Sequence, residues 1–299
     1  MKKIPFELHT EVYTPKDIAK VLSLAVNEKN FTGNNKGEKF LNVPVSFDIE
    51  TTSFYRDEDG ETYSYERYMK LGGKQTKMEK CSLMYVWQFG INGFCIIGRT
   101  WDEFLQMLSE IVDILKLCPK KRIIIYVHNL AYEFQFFREM LDWEKVFSID
   151  LRKPIYGVTK TGLEFRCSYL LSGYSLAKLG EQLHKYKCEK LVGDLDYSLL
   201  RHSRTPLTQK EIGYCLNDIK VVMCYVQELI EQYKGITRLP ITKTGFVRKY
   251  CRSVCFKTTD ETGKTIPNFK YIDKIHSLNI TGIEEFAMLQ RAFSGGFTH

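Results

Sequence analysis

The chain has 299 residues, of which 44% are hydrophobic and 13% aromatic, so it can form one large domain, or one domain with an appendage, around an ordinary core. The net charge of +7 suits a polyanionic partner, and no apolar run reaches the length of a membrane span, so we expect no membrane contact. Nine cysteines without a Cys-x-x-Cys pair, and no visible signal peptide, predict reduced thiols and a cytoplasmic location.

The first predicted elements are an N-terminal extension over residues 1–40, with one helix at Pro15–Val26, and a strand that begins at Val45. In this strand Asp48 and Glu50 alternate with apolar residues, so the two carboxylates share one face. Their mutual repulsion falls if a cation lies between them, and hard oxygen ligands suit Mg²⁺ or Mn²⁺. A solvated acidic strand end is the alternative, and for an isolated Asp-x-Glu it is the commoner one.

Residues 53–80 are polar and charged, with little periodicity, and are predicted to form an insertion, either a loop or a hairpin. Two strands follow, at Ser82–Phe89 and Gly93–Ile97, and the Asn92-Gly93 pair between them predicts a hairpin turn.

Thr100 and Glu103 form a capping box that predicts a helix through Leu117. The apolar run Arg122–Val127 is typical of a buried central strand. A polar turn follows it, and a helix predicted over Glu133–Leu141 places an acidic residue in its first turn.

The remaining pattern predicts two or three β segments within residues 146–170, then helices at Ser175–Tyr186 and Thr208–Tyr233. From Gly235 onward the chain is predicted to form a separate unit.

Acidic residues therefore occur on a strand, at a strand-to-helix turn and on a long helix: Asp48, Glu50, Glu133 and Asp218. Tyr214 precedes Asp218 by four residues and shares its helix face. Four convergent carboxylates can hold two metal ions, the arrangement used in phosphodiester cleavage. Taken singly, each has a simpler explanation: a helix N-terminus for Glu133 and a solvated helix face for Asp218.

Three segments resemble the motifs of the DEDD 3′–5′ exonucleases of the subtype with Tyr: Phe47–Thr51, Asn129–Glu133 and Tyr214–Asp218. Within that family the chain is most similar to the N-terminal proofreading domain of protein-primed family B DNA polymerases of the phi29 type. Ser175-Leu176 resembles that family's Ser/Thr-Leu motif, and Phe293–Thr298 its Tyr-x-Gly-Gly motif.

The resemblance implies an α/β fold with a ribonuclease-H-like mixed sheet, antiparallel at first and then parallel, flanked by helices. It implies an exonuclease domain over residues 41–235, interrupted by the insertion, and a connector over 236–299 toward a polymerase domain missing from the chain. It further implies a monomer that removes nucleoside 5′-monophosphates from single-stranded DNA 3′ ends. A terminal priming protein is the expected second partner, and the bacterial cytosol the expected location of a phage-encoded protein.

By the same resemblance, Asp48, Glu50, Glu133 and Asp218 would bind two divalent metal ions, Mg²⁺ or Mn²⁺, and Tyr214 would orient the water. The implied DNA contacts are Thr51, His128, Asn129, Tyr132, Ser175, Leu176, Gly295 and Gly296. Two positions depart from the family: Glu133 stands where Asp is usual, and Val192 stands where a catalytic Lys is usual. Two alternatives follow: a non-catalytic module that binds single-stranded DNA or a terminal protein, and a free-standing DEDD exonuclease.

Overall fold

The computed structural model describes residues 2–150, 152–188, 199–277 and 282–294. The chain divides into two compact units, Met1–Lys243 and Thr244–His299.

The strands in the described ranges are β1 (Val12–Tyr13), β2 (Phe31–Gly33), β3 (Lys39–Leu41), β4 (Val45–Arg56), β5 (Thr62–Tyr63), β6 (Glu79–Ile91), β7 (Phe94–Gly98), β8 (Lys121–Val127), β9 (Trp143–Asp150), β10 (Lys153–Thr159), β11 (Leu163–Cys167), β12 (Lys257–Thr259) and β13 (Thr265–Pro267). The α-helices are α1 (Ile18–Ala25), α2 (Tyr65–Lys70), α3 (Trp101–Leu115), α4 (Leu130–Phe137), α5 (Ser168–Ser172), α6 (Leu176–Glu181), α7 (Gln209–Tyr233), α8 (Lys243–Cys255), α9 (Phe269–His276) and α10 (Ile283–Ser294). Short 3₁₀ turns occur at Pro15–Asp17, Glu28–Asn30, Gly73–Gln75 and Ile236–Arg238.

The first unit contains one mixed sheet with the strand order β1-β7-β6-β4-β8-β11-β10-β9. Strands β4, β6 and β7 form an antiparallel meander, whereas β8 runs parallel to β4, and β11 runs parallel to β8. Helices flank the sheet, so the predicted α/β, ribonuclease-H-like fold is confirmed.

The alternation in β4 separates the two faces of the sheet. Phe47 points into the main core and stacks on Phe104 of α3, with ring centroids 4.5 Å apart. The opposite face of β4 and β6 packs against α7. Helix α7 approaches closely because Gly90 has no side chain: a Cβ there would lie 2.7 Å from the Met223 side chain.

Local signals placed several elements correctly. Asn92 and Gly93 both have positive φ, as the predicted hairpin turn requires. The capping box at Thr100 starts α3, and a second box at Thr208 starts α7. The predicted start of the helix at Glu133 was wrong, because α4 begins at Leu130. Asn129 takes a left-handed conformation with φ 73°, so the turn after β8 consists of only two residues and the helix starts directly after it.

Residues 1–40, predicted as an extension, supply β1, β2 and most of β3, and α1 buries Ile18, Val21 and Leu22 in the main core. β1 pairs with β7 at one edge of the sheet, and β3 pairs with β8.

Residues 53–80, hereafter the arm, lengthen the β4–β6 hairpin as far as the Arg56–Glu79 pair and add β5 and α2. The ladder contains a register shift between Glu50 and Thr51, where β6 has an extra residue. That residue is Tyr85, and it packs with Val86 in one cluster against α7.

The second unit contains the β12–β13 hairpin and helices α9 and α10. Across the described part of the chain, no helix combines the length and apolar character needed to cross a bilayer.

Candidate metal centre

Three carboxylates converge where β4 faces α7. Asp48, Glu50 and Asp218 each offer an oxygen, and these oxygens all lie within 4.8 Å of one another. Asp48 and Glu50 reach this point because residues two apart on a strand share a face, and Asp218 because it lies on the buried side of α7. Glu50 and Asp218 are both 7% exposed, so water screens their charges only weakly.

A fourth carboxyl group, that of Glu133 on α4, lies beside Asp48. It is 4% exposed, and its Oε2 atom has no hydrogen-bond partner among the described residues. Burial, followed by the negative charge of Asp48, raises the pKa of the Glu133 carboxyl well above its usual range, and a hydrogen bond to Asp48 adds to the rise. Without a cation, this environment therefore favours the protonated form of Glu133.

This donor set fits a divalent metal ion. Like charges held together in a buried site are costly unless a cation lies between them, and an all-oxygen set suits Mg²⁺ or Mn²⁺. Burial, followed by the charges of Glu50 and Asp48, raises the pKa of the neighbouring Cys215 thiol, so without a cation this thiol stays protonated. The buried acidic cluster can thus bind metal.

Tyr214 lies one helical turn before Asp218 and is buried together with Tyr85 and Cys215. Tyr214 therefore lies where α7 packs on the sheet, on the same helix as Asp218.

Two of the predicted DNA contacts meet beside the carboxylates. The hydroxyl groups of Thr51 and Tyr132 are 2.6 Å apart, joining the residue after Glu50 to the residue before Glu133. The Tyr132 ring is 41% exposed, so it can still contact a ligand.

His128 and Asn129 occupy the turn between β8 and α4. The His128 Nδ1 atom lies 3.1 Å from the Ser168 hydroxyl, within hydrogen-bond distance. Asn129 precedes α4 as its left-handed cap residue.

Ser175 and Leu176 have structural roles in the fold. The Ser175 side chain accepts a hydrogen bond from the Lys178 backbone N–H and so caps α6, while Leu176 is buried in that helix, which packs against α7. Their DNA contacts, like those of the other predicted site residues, stay predictions. Gly295, Gly296 and Val192 lie outside the described residues.

Gln88 is a further residue of the candidate site, and it was not predicted from the sequence. It pairs directly with Asp48 across the β4–β6 ladder and is completely buried. Neither its amide nitrogen nor its amide oxygen has a hydrogen-bond partner in the described ranges. A polar residue inside the apolar run of β6 is the signal that could have found it.

Arg201 is a second residue that was missed, and it fixes the start of α7. Its guanidinium forms an ion pair with Glu211 at 2.8 Å, and both side chains are largely buried. Its backbone N–H donates to the Thr52 hydroxyl at 3.2 Å, two residues beyond Glu50. Arg201 therefore ties α7, which carries Asp218, to the strand that carries Asp48 and Glu50.

No family model matches the chain, and no curated protein matches it. Among solved structures, it is similar to phi29 DNA polymerase complexed with single-stranded DNA, with 15% identity and a TM-score of 0.47 over 73% of this chain and 37% of that one. Phi29 DNA polymerase in a ternary complex with primer-template DNA and incoming nucleotides gives 15% identity and a TM-score of 0.46, with the same coverage. The catalytic core of RRP6 from Trypanosoma brucei gives 10% identity and a TM-score of 0.37, over 77% of this chain and 50% of that one.

The chain thus spans 37% of the phi29 polymerase chain. At such identities and TM-scores these similarities do not assign a function, so a functional conclusion has to rest on the site itself.

Proposed function

We propose that this protein is a metal-dependent 3′–5′ exonuclease that acts on single-stranded DNA. The observation that carries the proposal is the convergence of Asp48, Glu50 and Asp218 within 4.8 Å, with Glu133 buried against Asp48. The wider role is proofreading in the N-terminal part of a protein-primed family B DNA polymerase, with a terminal protein as a further partner. The order and spacing of the three motifs support that role.

Each group has a task in this scheme. When bound, two divalent ions supply the positive charge that activates a water molecule and stabilises the leaving 3′ oxygen. The four carboxylates would hold the ions, and the Tyr214 hydroxyl would orient the water. The exposed Tyr132 ring would stack on the terminal base, and Thr51 fixes that ring through its hydroxyl. The water oxygen adds to phosphorus as the P–O3′ bond breaks, the leaving 3′ oxygen takes up a proton to give the shortened strand, and a nucleoside 5′-monophosphate leaves.

One observation favours a second candidate, a non-catalytic module that holds single-stranded DNA or a terminal protein. Glu133 bonds to Asp48, so a proton already offsets part of the charge that a second ion would offset. On this view DNA binding survives, but no cleavage accompanies it.

A cleavage assay separates the two candidates. A 5′-labelled single strand should shorten from its 3′ end in Mg²⁺ or Mn²⁺ and remain intact in EDTA. A phosphorothioate at the last 3′ linkage should slow the first step. Asp48→Asn and Asp218→Asn should each lower the rate by orders of magnitude, because each removes a ligand charge. Asp142→Asn, at a surface ion pair with Lys160, is the matched control and should cleave like the parent. Undiminished cleavage in EDTA or by Asp48→Asn would refute the metal-dependent nuclease.

A further inference from the structure

The arm carries an exposed apolar groove beside the metal centre. Helix α2 forms one wall, Leu199 and Leu200 form the other, and the groove has a volume of about 700 Å³. Tyr65, Met69, Leu199 and Leu200 are each close to half exposed. Four large apolar side chains turned toward one open groove are typical of a binding surface.

The helix that lines the groove is firmly supported. Tyr68 of α2 stacks on Tyr55 of β4, with ring centroids 3.6 Å apart and planes 4° from parallel, and both rings are buried. Tyr65 and Met69 are four residues apart on the same helix and lie side by side next to Tyr68, and the Tyr65 ring also approaches Tyr55, with ring centroids 6.3 Å apart. The stack therefore holds a tyrosine ring and a thioether in place at the surface, ready to contact a flat ligand.

The groove is continuous with the proposed active site. The Thr52 hydroxyl donates to the Leu199 carbonyl oxygen at 3.1 Å, so one wall of the groove attaches to β4 two residues after Glu50. At ~3.3 Å per strand residue, this wall begins about 7 Å along the strand from Glu50, and Tyr55 lies about 17 Å along it.

The charge of this segment suits a nucleic acid backbone. From Ser64 to Lys77 the arm has four basic residues and one acidic residue, Glu66. Glu66 lines the groove and pairs with Lys70 at 2.6 Å, while Lys77 pairs with Glu58 at 3.7 Å, so the net positive charge of the groove is small. The basic residues are Arg67, Lys70, Lys74 and Lys77. Phosphates are attracted to such a surface, while aromatic and apolar side chains accept bases with little regard to sequence.

We propose that this groove is a second binding subsite for single-stranded DNA, which takes bases a few nucleotides upstream of the 3′ end. Tyr65 is its stacking residue, and Met69, Leu199 and Leu200 complete its apolar walls. The inference rests on the proposed function only in placing the 3′ end at the carboxylate cluster.

The test measures binding rather than cleavage, in EDTA and at fixed salt, with the whole chain. Unlabelled oligothymidylates of about 3 and about 10 nucleotides compete against a labelled strand. Tyr65→Ala should bind the longer oligomer roughly tenfold more weakly, because it loses one stacked base, and the shorter oligomer as the parent does. Tyr65→Phe keeps the ring and should match the parent on both. Phe147→Ala, which removes an equally exposed ring from the edge strand β9, should also match the parent.

The subsite would be overturned if the longer oligomer bound equally well to the parent, to Tyr65→Ala and to a Tyr65→Ala/Met69→Ala double variant. That result would instead point to a protein as the ligand of the groove. An equal loss for both oligomers would overturn its upstream position. The proposed nuclease fails separately, if the parent does not cleave in Mg²⁺ or Mn²⁺, and the length-dependent binding result would stand in that case.

Discussion

Glu133 shows how the environment of one residue sets its chemistry. It is buried against Asp48 and close to Glu50, and its pKa is raised for that reason. A carboxyl group whose folded-state pKa exceeds its unfolded value lowers the stability of the fold at pH values above the unfolded pKa, because folding disfavours its charged form.

We therefore expect Glu133→Gln to raise the melting temperature of the metal-free protein at pH 7, because the amide carries no charge into the buried site. The advantage should shrink as the pH falls and disappear below the unfolded glutamate pKa, about 4.3, where the carboxyl is protonated in both states. Thermal unfolding across this pH range in EDTA measures the effect. Glu139→Gln, at an exposed surface position, is the control, and a similar gain there would remove Glu133 as the source.

Tyr132 combines two separable contacts, an exposed ring and a hydroxyl bonded to Thr51. Tyr132→Ala should weaken single-strand affinity by roughly tenfold or more, since a stacked aromatic contributes ~1–3 kcal/mol per base. Tyr132→Phe should retain most of the affinity, because it loses only the bond that orients the ring. Anisotropy titrations at fixed salt distinguish the variants, and parent-like binding by Tyr132→Ala would remove this residue from the binding site.

At the scale of elements, the site depends on how α7 docks against β4. Asp218 lies two turns after Glu211, whose carboxylate accepts bonds from the Thr208 backbone N–H and hydroxyl and pairs with Arg201. The Thr208 backbone bond, with further contributions from the Thr208 hydroxyl and Arg201, holds the pKa of Glu211 below its usual value.

Arg201→Met should destabilise the first unit by ~3 kcal/mol, because it leaves a largely buried carboxylate without its cation. The Arg201→Met/Glu211→Gln double variant should recover part of this loss, since no charge is then left behind. Chemical denaturation of the parent, both single variants and the double variant gives the coupling energy. A coupling energy near zero would show that Arg201 does not anchor α7.

The depressed pKa of Glu211 contributes stability above about pH 4–5, and this stability is lost as the pH falls. Glu211→Gln should therefore flatten the acid limb of the stability curve.

The elements that the sequence predicted best are those specified by local signals. The Asn92-Gly93 turn and the caps at Thr100 and Thr208 involve residues within a few positions of one another. The helix after β8 was placed three residues late, because the left-handed conformation of Asn129 has no periodic signal. The pairing of β1 with β7 links residues far apart in the chain, and no local pattern specifies it.

The same distinction applies to the candidate site. The shared face of Asp48 and Glu50 follows from strand parity. Convergence with Asp218 and Glu133 was expected from the order of the motifs, and in the structure Asp218 lies within 4.8 Å of the first two while Glu133 lies beside Asp48. Gln88 is linked to Asp48 by cross-strand pairing and Arg201 to Thr52 by a hydrogen bond between residues far apart in the chain, so only the tertiary structure identifies them.

For the whole molecule, metal binding and folding are linked, because the unfolded chain does not hold the four carboxylates together. Mn²⁺ or Mg²⁺ should raise the melting temperature, with a stabilisation of ~2.7 kcal/mol at a metal concentration of about 100 times Kd. Asp218→Asn should lose most of this gain. Calorimetry in a monovalent salt at equal ionic strength controls for screening, and an unchanged melting temperature in Mn²⁺ or Mg²⁺ would count against a metal centre.

The register shift between Glu50 and Thr51 also limits how the arm can evolve. Side chains alternate along both strands of the hairpin, so one added residue in a strand would turn every residue beyond it to the opposite face. Tyr55 would then leave the Tyr68 stack, and the groove would lose its support. Two residues added to each strand would keep the parity and lengthen the arm by about 7 Å. We expect related chains to differ in arm length by matched pairs of residues, with the bulge at Tyr85 fixed beside the carboxylates.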